Sequence, residues 1–185
     1  MLERLSERSP GVDVKLEAVG SADAMQRLKA GSLDIGIVAS PQPASAEIRM
    51  QPWRNDEMVV VVPAHWDAPK HVTPEWLANR RWASFAPATQ MHGLISAWFG
   101  QAGFNPRPFL SLSYPGALKS LAAASQSAAI LPLEEVEDLR HEPGVQIRPL
   151  QPQLMRPMAV ASRHQPTPDP AVASVLAVLQ DFAGG

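Results

Sequence analysis

The chain has 185 residues, of which 45% are hydrophobic and 18% charged, with a formal net charge of −2 and no cysteine. That is the composition of a folded chain with one domain or two small ones; it excludes disulfides, thiolate nucleophiles and cysteine metal sites, and it lacks the basic run of a nucleic-acid surface. No apolar run approaches the roughly 20 residues of a membrane span, and the charged start Met1–Arg8 is unlike a secretory signal, so a soluble cytoplasmic protein is expected.

Leu2 and Leu5 amid charges read as the end of a helix, stopped by Ser9-Pro10-Gly11. Val12, Val14, Leu16 and Ala18 then alternate with Asp13, Lys15 and Glu17, the period of a strand with one wet face. Gly20-Ser21 turns the chain into a helix, with Ser21 placed as its N-cap and Asp23 in its first turn. Met25 and Leu28 give this helix an apolar side. Gly31 suits its left-handed end, because a residue without Cβ takes that conformation freely. Leu33, Ile35, Ile37 and Val38, interrupted only by Asp34, predict a strand buried on both faces. Strand, helix and strand of these lengths predict a right-handed βαβ unit. Ligands of such units sit beyond the carboxyl ends of the strands, here at Ala39, Ser40 and Pro41.

Residues 41–47 read as loop and Ile48–Trp53 as a short strand. Met58–Val62 is a β-branched run closed by Pro63, which predicts a central strand. The run from Ala64 to Pro74 is rich in Pro, His and Trp and reads as a linker or a domain crossing. Thr73 caps a short helix with Pro74 at its first position. Arg81–Phe85 reads as a strand. Thr89 caps a helix whose Met91, Leu94, Ile95, Trp98, Phe99 and Ala102 keep helical spacing. Phe109–Ser113, Ala128–Leu131, Val145–Leu150 and Met158–Ser162 read as strands, and Pro115–Ala124 and Pro132–Leu139 as helices. Asp169-Pro170 starts a last helix with Val172, Val175, Leu176, Leu179 and Phe182 on one face.

This order of elements resembles the effector-binding domain of LysR-type bacterial transcriptional regulators. The resemblance is carried by Ser-Pro-Gly-Val at 9–12, Leu-Lys-Ala-Gly-Ser-Leu-Asp-Ile-Gly-Ile at 28–37, Val-Val-Val-Val-Pro at 59–63, Ala-Ile-Leu-Pro at 129–132 and Ala-Val-Ala-Ser-Arg at 159–163. It implies an α/β fold of the type II periplasmic-binding-protein kind, with two subdomains, each a mostly parallel sheet flanked by helices. Residues 1–63 and 158–185 would form subdomain I, and residues 64–157 subdomain II. The family's first strand and its winged helix-turn-helix would lie upstream of Met1, which falls inside the first helix. Such a truncated domain would contact DNA only through that absent helix-turn-helix. The family order leaves Leu33–Val38 either beside a gap or paired directly with Val12–Ala18. Where the family often has Gly-x-Gly, this chain has Ser125-Gln126-Ser127.

The resemblance also implies a small-molecule effector, a carboxylate or an aromatic, held in the cleft between subdomains by loops and helix N-termini. The matching positions are Ser21, Ser40, Pro87, Ala88, Thr89, Gln90 and Tyr114. For Ser21 and Thr89, plain helix capping is the alternative, and one hydroxyl can do both. The family pairs these domains as homodimers or higher homo-oligomers. No cofactor is implied, and no catalytic or metal site: the histidines at 65, 71, 92, 141 and 164 lack ligand spacing, and no acid/base pair or phosphate loop emerges. His92 alone, in the first turn after Thr89, could reach the cleft. Asp34 reads as a structural hydrogen-bonding residue, Ile95, Trp98 and Phe99 as core or dimer interface, and Glu134, Glu135, Glu137 and Asp138 as a solvated acidic helix start. The competing functions on this architecture are a solute-binding protein of a transport system and a dehydratase-like enzyme.

Overall fold

The computed structural model of the chain describes residues 2–8, 10–165, 167 and 169–183. In chain order the elements begin with α1 (Leu2–Arg8), α2 (Ser21–Ala30), β1 (Ile35–Ala39), β2 (Ile48–Pro63), α3 (Pro74–Ala78), β3 (Trp82–Phe85) and α4 (Gln90–Gln101). They continue with β4 (Leu110–Leu112), α5 (Pro115–Ala123), β5 (Ala128–Pro132), α6 (Leu133–Val136), a 3₁₀ turn (Glu137–His141), β6 (Val145–Arg163) and α7 (Pro170–Gln180). Two compact units contain them: unit 1 is Met1–Asn55 with Pro157–Gly185, and unit 2 is Asp56–Arg156.

In unit 1, β1 pairs antiparallel with β6, from Ile35 opposite Ser162 to Ala39 opposite Met158. The apolar side of α2 (Ala24, Met25, Leu28) packs with Val38, Ile48, Ala159 and Ala161. Gly31 ends α2 at φ +75°, and its N–H donates to the Leu28 carbonyl at 3.2 Å. α7 begins as its sequence demands. Asp169 accepts the Ala171 N–H at 2.7 Å, and Pro170 takes the first helical position.

Three expectations for this unit are corrected. Val12–Ala18 forms no strand; an alternating pattern becomes a strand only where a neighbour offers a ladder, and no described strand pairs with it. There is accordingly no βαβ unit here, and β1 is the outermost strand of the order β1-β6-β2-β5-β3-β4. Its open side faces a cavity of about 300 Å³ that both Val12–Glu17 and Leu33–Ile37 line, which is the gap anticipated for Leu33–Val38. Nor is the strand buried on both faces, since Ile37 is 39% exposed. Asp34 precedes the strand, and its exposed carboxylate pairs with Arg163 at 3.0 Å. Ser9, placed at the stop of the first helix, lies outside the described residues.

In unit 2, Met58–Val61 of β2 pairs antiparallel with β5, while β3 runs parallel to both β5 and β4. The sheet is therefore mixed. The strand pieces 48–53 and 58–62 merge into the single 16-residue β2, and 145–150 and 158–162 into the 19-residue β6, which carries Pro149, Pro152 and Pro157. Prolines interrupt a ladder only on the side where the N–H was needed. The run 64–74 is held within unit 2, where Val72 bridges Leu150. Thr73 and Thr89 cap α3 and α4, accepting from the Trp76 and His92 N–H groups at 3.2 and 3.1 Å. Met91, Ile95, Trp98 and Phe99 of α4 enter the core together with Met58–Val62, Trp82 and Leu118, and so are core residues. At the site of the Ser125-Gln126-Ser127 sequence, Ser125 itself takes φ +56° and its hydroxyl donates to the Gly144 carbonyl.

Candidate functional site

Two of the seven candidate residues lie in unit 1. Gly20, not Ser21, occupies the N-cap of α2, and Ser21 is the first helical residue. Its hydroxyl does not cap the helix; it accepts the Ala39 N–H at 3.0 Å. The bond ties the start of α2 to the end of β1, so Ser21 stands beside the peptide that leads into Ser40. No side chain caps α2, which leaves its first-turn N–H donors directed outward at a positive dipole end. The Ser40 N–H donates to Pro157 at 2.8 Å, and the Ser40–Pro41 bond is cis. Ser40 also lines a cavity of about 440 Å³ with Met50, Trp53, Arg54, Asn55 and Met158. Arg54 lies over the Trp53 ring, 4.6 Å from its centroid. These wall residues were read from sequence as strand and loop, and only the Trp53-Arg54-Asn55 run of hydrogen-bonding side chains could have signalled them.

The other five lie in unit 2. Thr89 donates its hydroxyl to the Ala86 carbonyl at 2.8 Å while capping His92 at 3.1 Å, which fixes the loop Pro87–Thr89 against the helix start. Pro87, Ala88 and Gln90 are exposed. With His92 and Gly93 bonded to Thr89, the N–H groups of Gln90 and Met91 are the remaining first-turn donors of α4. His92 turns inward instead: its Nδ1 lies 3.1 Å from the Phe85 carbonyl oxygen, a bond of the Nδ1–H tautomer. Tyr114 is the N-cap of α5, 69% exposed, with no side-chain cap on that helix. The Ala86 N–H donates to Leu112 at 3.0 Å, so the loops that leave the carboxyl ends of β3 and β4 emerge side by side. The structure thus brings Ser21 to Ser40, and the loop 87–90 to the loop bearing Tyr114. Helix-start N–H groups without a side-chain cap and hydroxyl-bearing residues lie at each place. Among the described residues no cluster of His, Cys, Asp and Glu could hold a metal ion.

The acidic run after β5 needs a correction. Asp138 is exposed and stays close to the Lys119 ammonium at 2.7 Å, whose hydrogen bond lowers its carboxyl below the usual range. Glu134 and Glu135, however, turn to Arg156 at 3.5 and 3.6 Å, and Arg156 also clasps Asp56. Burial raises the Glu135 carboxyl above its ordinary value, against the pull of Arg156. A raised carboxyl favours the protonated form in the folded state, so its contribution is fully present below the ordinary carboxylate range and is lost as pH climbs through the raised value. Glu135→Gln therefore raises Tm at pH 7, and the difference from wild type shrinks toward pH 4. Paired thermal melts across that range check it, and a gain that grows on acidification would contradict it.

The family model described as "LysR substrate binding domain" matches residues 1–184. No curated protein sequence matches the chain. Among solved structures, the CcmR regulatory domain of Synechocystis PCC6803 in complex with 2-PG superposes at TM-score 0.84 with 16% identity, over 98% of this chain and 88% of that one. The effector-binding domain of QuiR in complex with shikimate gives 0.86 and 17%, over 98% and 88%. Full-length CbnR complexed with its target DNA gives 0.81 and 16%; all of this chain is covered but 65% of that one, so the chain spans about two thirds of its length. No described helix is long and apolar enough to cross a membrane.

Proposed function

The chain belongs to the LysR substrate-binding-domain family, and we propose that it senses a small-molecule effector for a LysR-type transcriptional regulator. The family match over residues 1–184 is the observation that carries this reading. It is supported by the small molecules named with the CcmR and QuiR domains, which share the fold. The effector is a small carboxylate or aromatic acid. In unit 1 its candidate contacts are Ser21, Ser40 and the α2 N-terminus; taken by itself, unit 2 offers Pro87, Ala88, Thr89, Gln90 and Tyr114. Binding shifts the population of the domain's conformations. DNA contact belongs to a helix-turn-helix outside these residues, and the working form is a cytoplasmic homodimer. Binding, not catalysis, is the role of the site.

A thermal-shift screen of aliphatic and aromatic carboxylates tests this. A ligand at 100 times its Kd adds about 2.7 kcal/mol to stability, which moves Tm by several degrees. Ser21→Ala weakens the hit by roughly 10- to 100-fold, as the loss of a hydrogen bond to a charged group does; Thr89→Val also weakens it, by releasing the loop and helix start that Thr89 holds through Ala86 and His92, whereas Thr89→Ser stays near wild type. The assignment fails if no carboxylate shifts Tm, or if hits are indifferent to both substitutions.

A further inference from the structure

A cavity on the α7 side of the unit 1 strands stands apart from the candidate effector positions. Its volume is about 330 Å³, and Arg49, Gln51, Ser162, His164, Val172 and Leu176 are among its walls. Alternation along the strands explains which side chains reach it. Ala159 and Ala161 of β6 and Ile48 of β2 pack with α2, so Ser162, Arg49 and Gln51 point to the opposite face, where α7 lies. The His164 N–H donates to the Glu47 carbonyl at 2.7 Å, so the end of β6 meets the start of β2. Two residues inward on each strand, Ser162 stands beside Arg49. Both strands lie on the paired side of β1, away from its open edge.

Three side chains here have donors and no acceptor among the described residues. Ser162 is only 7% exposed, yet its hydroxyl makes no hydrogen bond. A buried hydroxyl is ordinarily paired, and this one opens on the cavity. Arg49 forms no ion pair. Gln51 accepts from Gln180 through Oε1 at 3.3 Å, which leaves its own amide N–H groups to donate. The two carboxylates that line the same space are already matched. Asp34 pairs with Arg163 at 3.0 Å, and Asp169 accepts the Ala171 N–H at 2.7 Å. Across from these polar groups, Val172 and Leu176 of α7 supply an apolar wall.

We propose that this cavity is a second ligand site, which binds a small organic monocarboxylate with a short apolar chain. The carboxylate lies on the Arg49 guanidinium and accepts from the Ser162 hydroxyl and the Gln51 amide, bonds that the negative charge strengthens. The chain lies along Val172 and Leu176, where its burial adds to affinity. One cation without a counter-ion calls for one negative charge, and Asp169 at the rim turns away a second. A neutral amphiphile of the same length leaves Arg49 unanswered. None of these residues belongs to the effector contacts, so the site does not depend on that reading.

Hexanoate is the probe, titrated into the full chain and followed through the backbone amides by NMR. It should shift Ser162, His164, Val172 and Leu176 with a dissociation constant of about 1 mM or below, within reach of so small a ligand. Arg49→Gln should weaken binding at least tenfold and Ser162→Ala several-fold. Arg49 is exposed, so its replacement leaves the fold intact. Hexanamide, of equal length but uncharged, should bind at least tenfold more weakly than hexanoate. Ser21→Ala should leave these shifts unchanged, which separates a failure here from a failure of the effector reading. Three results would overturn the proposal. One is no saturable shift of these amides by roughly 20 mM hexanoate. Another is equal binding of hexanoate and hexanamide, which would mean apolar capture alone. The third is unchanged affinity in Arg49→Gln, which would place the carboxylate elsewhere.

Discussion

Replacing Arg156 by alanine lowers the unfolding free energy of unit 2 by about 3–5 kcal/mol at pH 7, the loss seen when one partner of a buried ion pair is removed. The Arg156 guanidinium reaches one carboxylate oxygen of Asp56 through Nη2 at 2.6 Å and Nε at 3.1 Å. Their side chains are only 12% and 6% exposed, so solvent screens the pair weakly. Glu134 and Glu135 stand at 3.5 and 3.6 Å from the same guanidinium. Alanine would take from Asp56, Glu134 and Glu135 the cation that they share, and the carboxylates' mutual repulsion adds to the loss. Urea melts followed by tryptophan fluorescence read this unit well, because Trp66, Trp76, Trp82 and Trp98 all belong to it. The double replacement Arg156→Met with Asp56→Leu recovers most of the loss, since an apolar pair of similar size removes charge and counter-charge together. A single-variant loss below about 1 kcal/mol would show that water takes the place of the guanidinium.

Phe99→Ala costs about 3–5 kcal/mol, the range for truncating an aromatic side chain in a packed core. Phe99 is 1% exposed and among the largest fully buried side chains. It packs between two indoles: its centroid is 5.0 Å from Trp82 and 5.0 Å from Trp98, the latter edge-on at 71°. Each ring pair contributes about 0.5–1.5 kcal/mol beyond the area it buries. Trp98 cannot swing into the vacated space without breaking its Nε1–H bond to the Pro152 carbonyl at 2.8 Å. At about 2–4 °C per kcal/mol for a chain of this size, Tm falls by roughly 6–20 °C. Phe109→Ala is the contrast: that ring is 42% exposed under Arg81, and its loss costs roughly 1 kcal/mol or less. Equal losses for the two phenylalanines would refute the core assignment.

What could be seen in the sequence is what depends on near neighbours in the chain. Thr73, Thr89 and Asp169 cap their helices within three residues, and Gly31 ends α2 within the same turn, so their chemistry is local. The stripe of α4 is likewise a matter of spacing, and it went into the core. The misreadings involve partners far along the chain. Ser21 has the composition of a cap but serves Ala39, eighteen residues on, because the β1 edge presents it with a stronger need. Glu134 and Glu135 look solvated until Arg156 folds back onto them. Val12–Ala18 shows that a period of two states what a segment could pair with, not that a partner is there. Of the candidate site, the loop Pro87–Gln90 was legible as a helix start. The wall around Ser40 was not, because Trp53, Arg54 and Met158 come from two strands about a hundred residues apart.

The division of the chain also sets an order on its manufacture. Unit 2 is one unbroken stretch, Asp56–Arg156, whereas unit 1 needs both Met1–Asn55 and Pro157–Gly185. On a ribosome, which delivers roughly 5–20 residues per second, every residue of unit 2 has been made while β1 still waits for Met158–Ser162, its antiparallel neighbour. For those seconds α2 and β1 hold their apolar faces without the strand that covers them. Unit 1, whose first residues are made before any of unit 2, is therefore the second to be completed, and its uncovered apolar faces are exposed to wrong partners until Met158–Ser162 arrives.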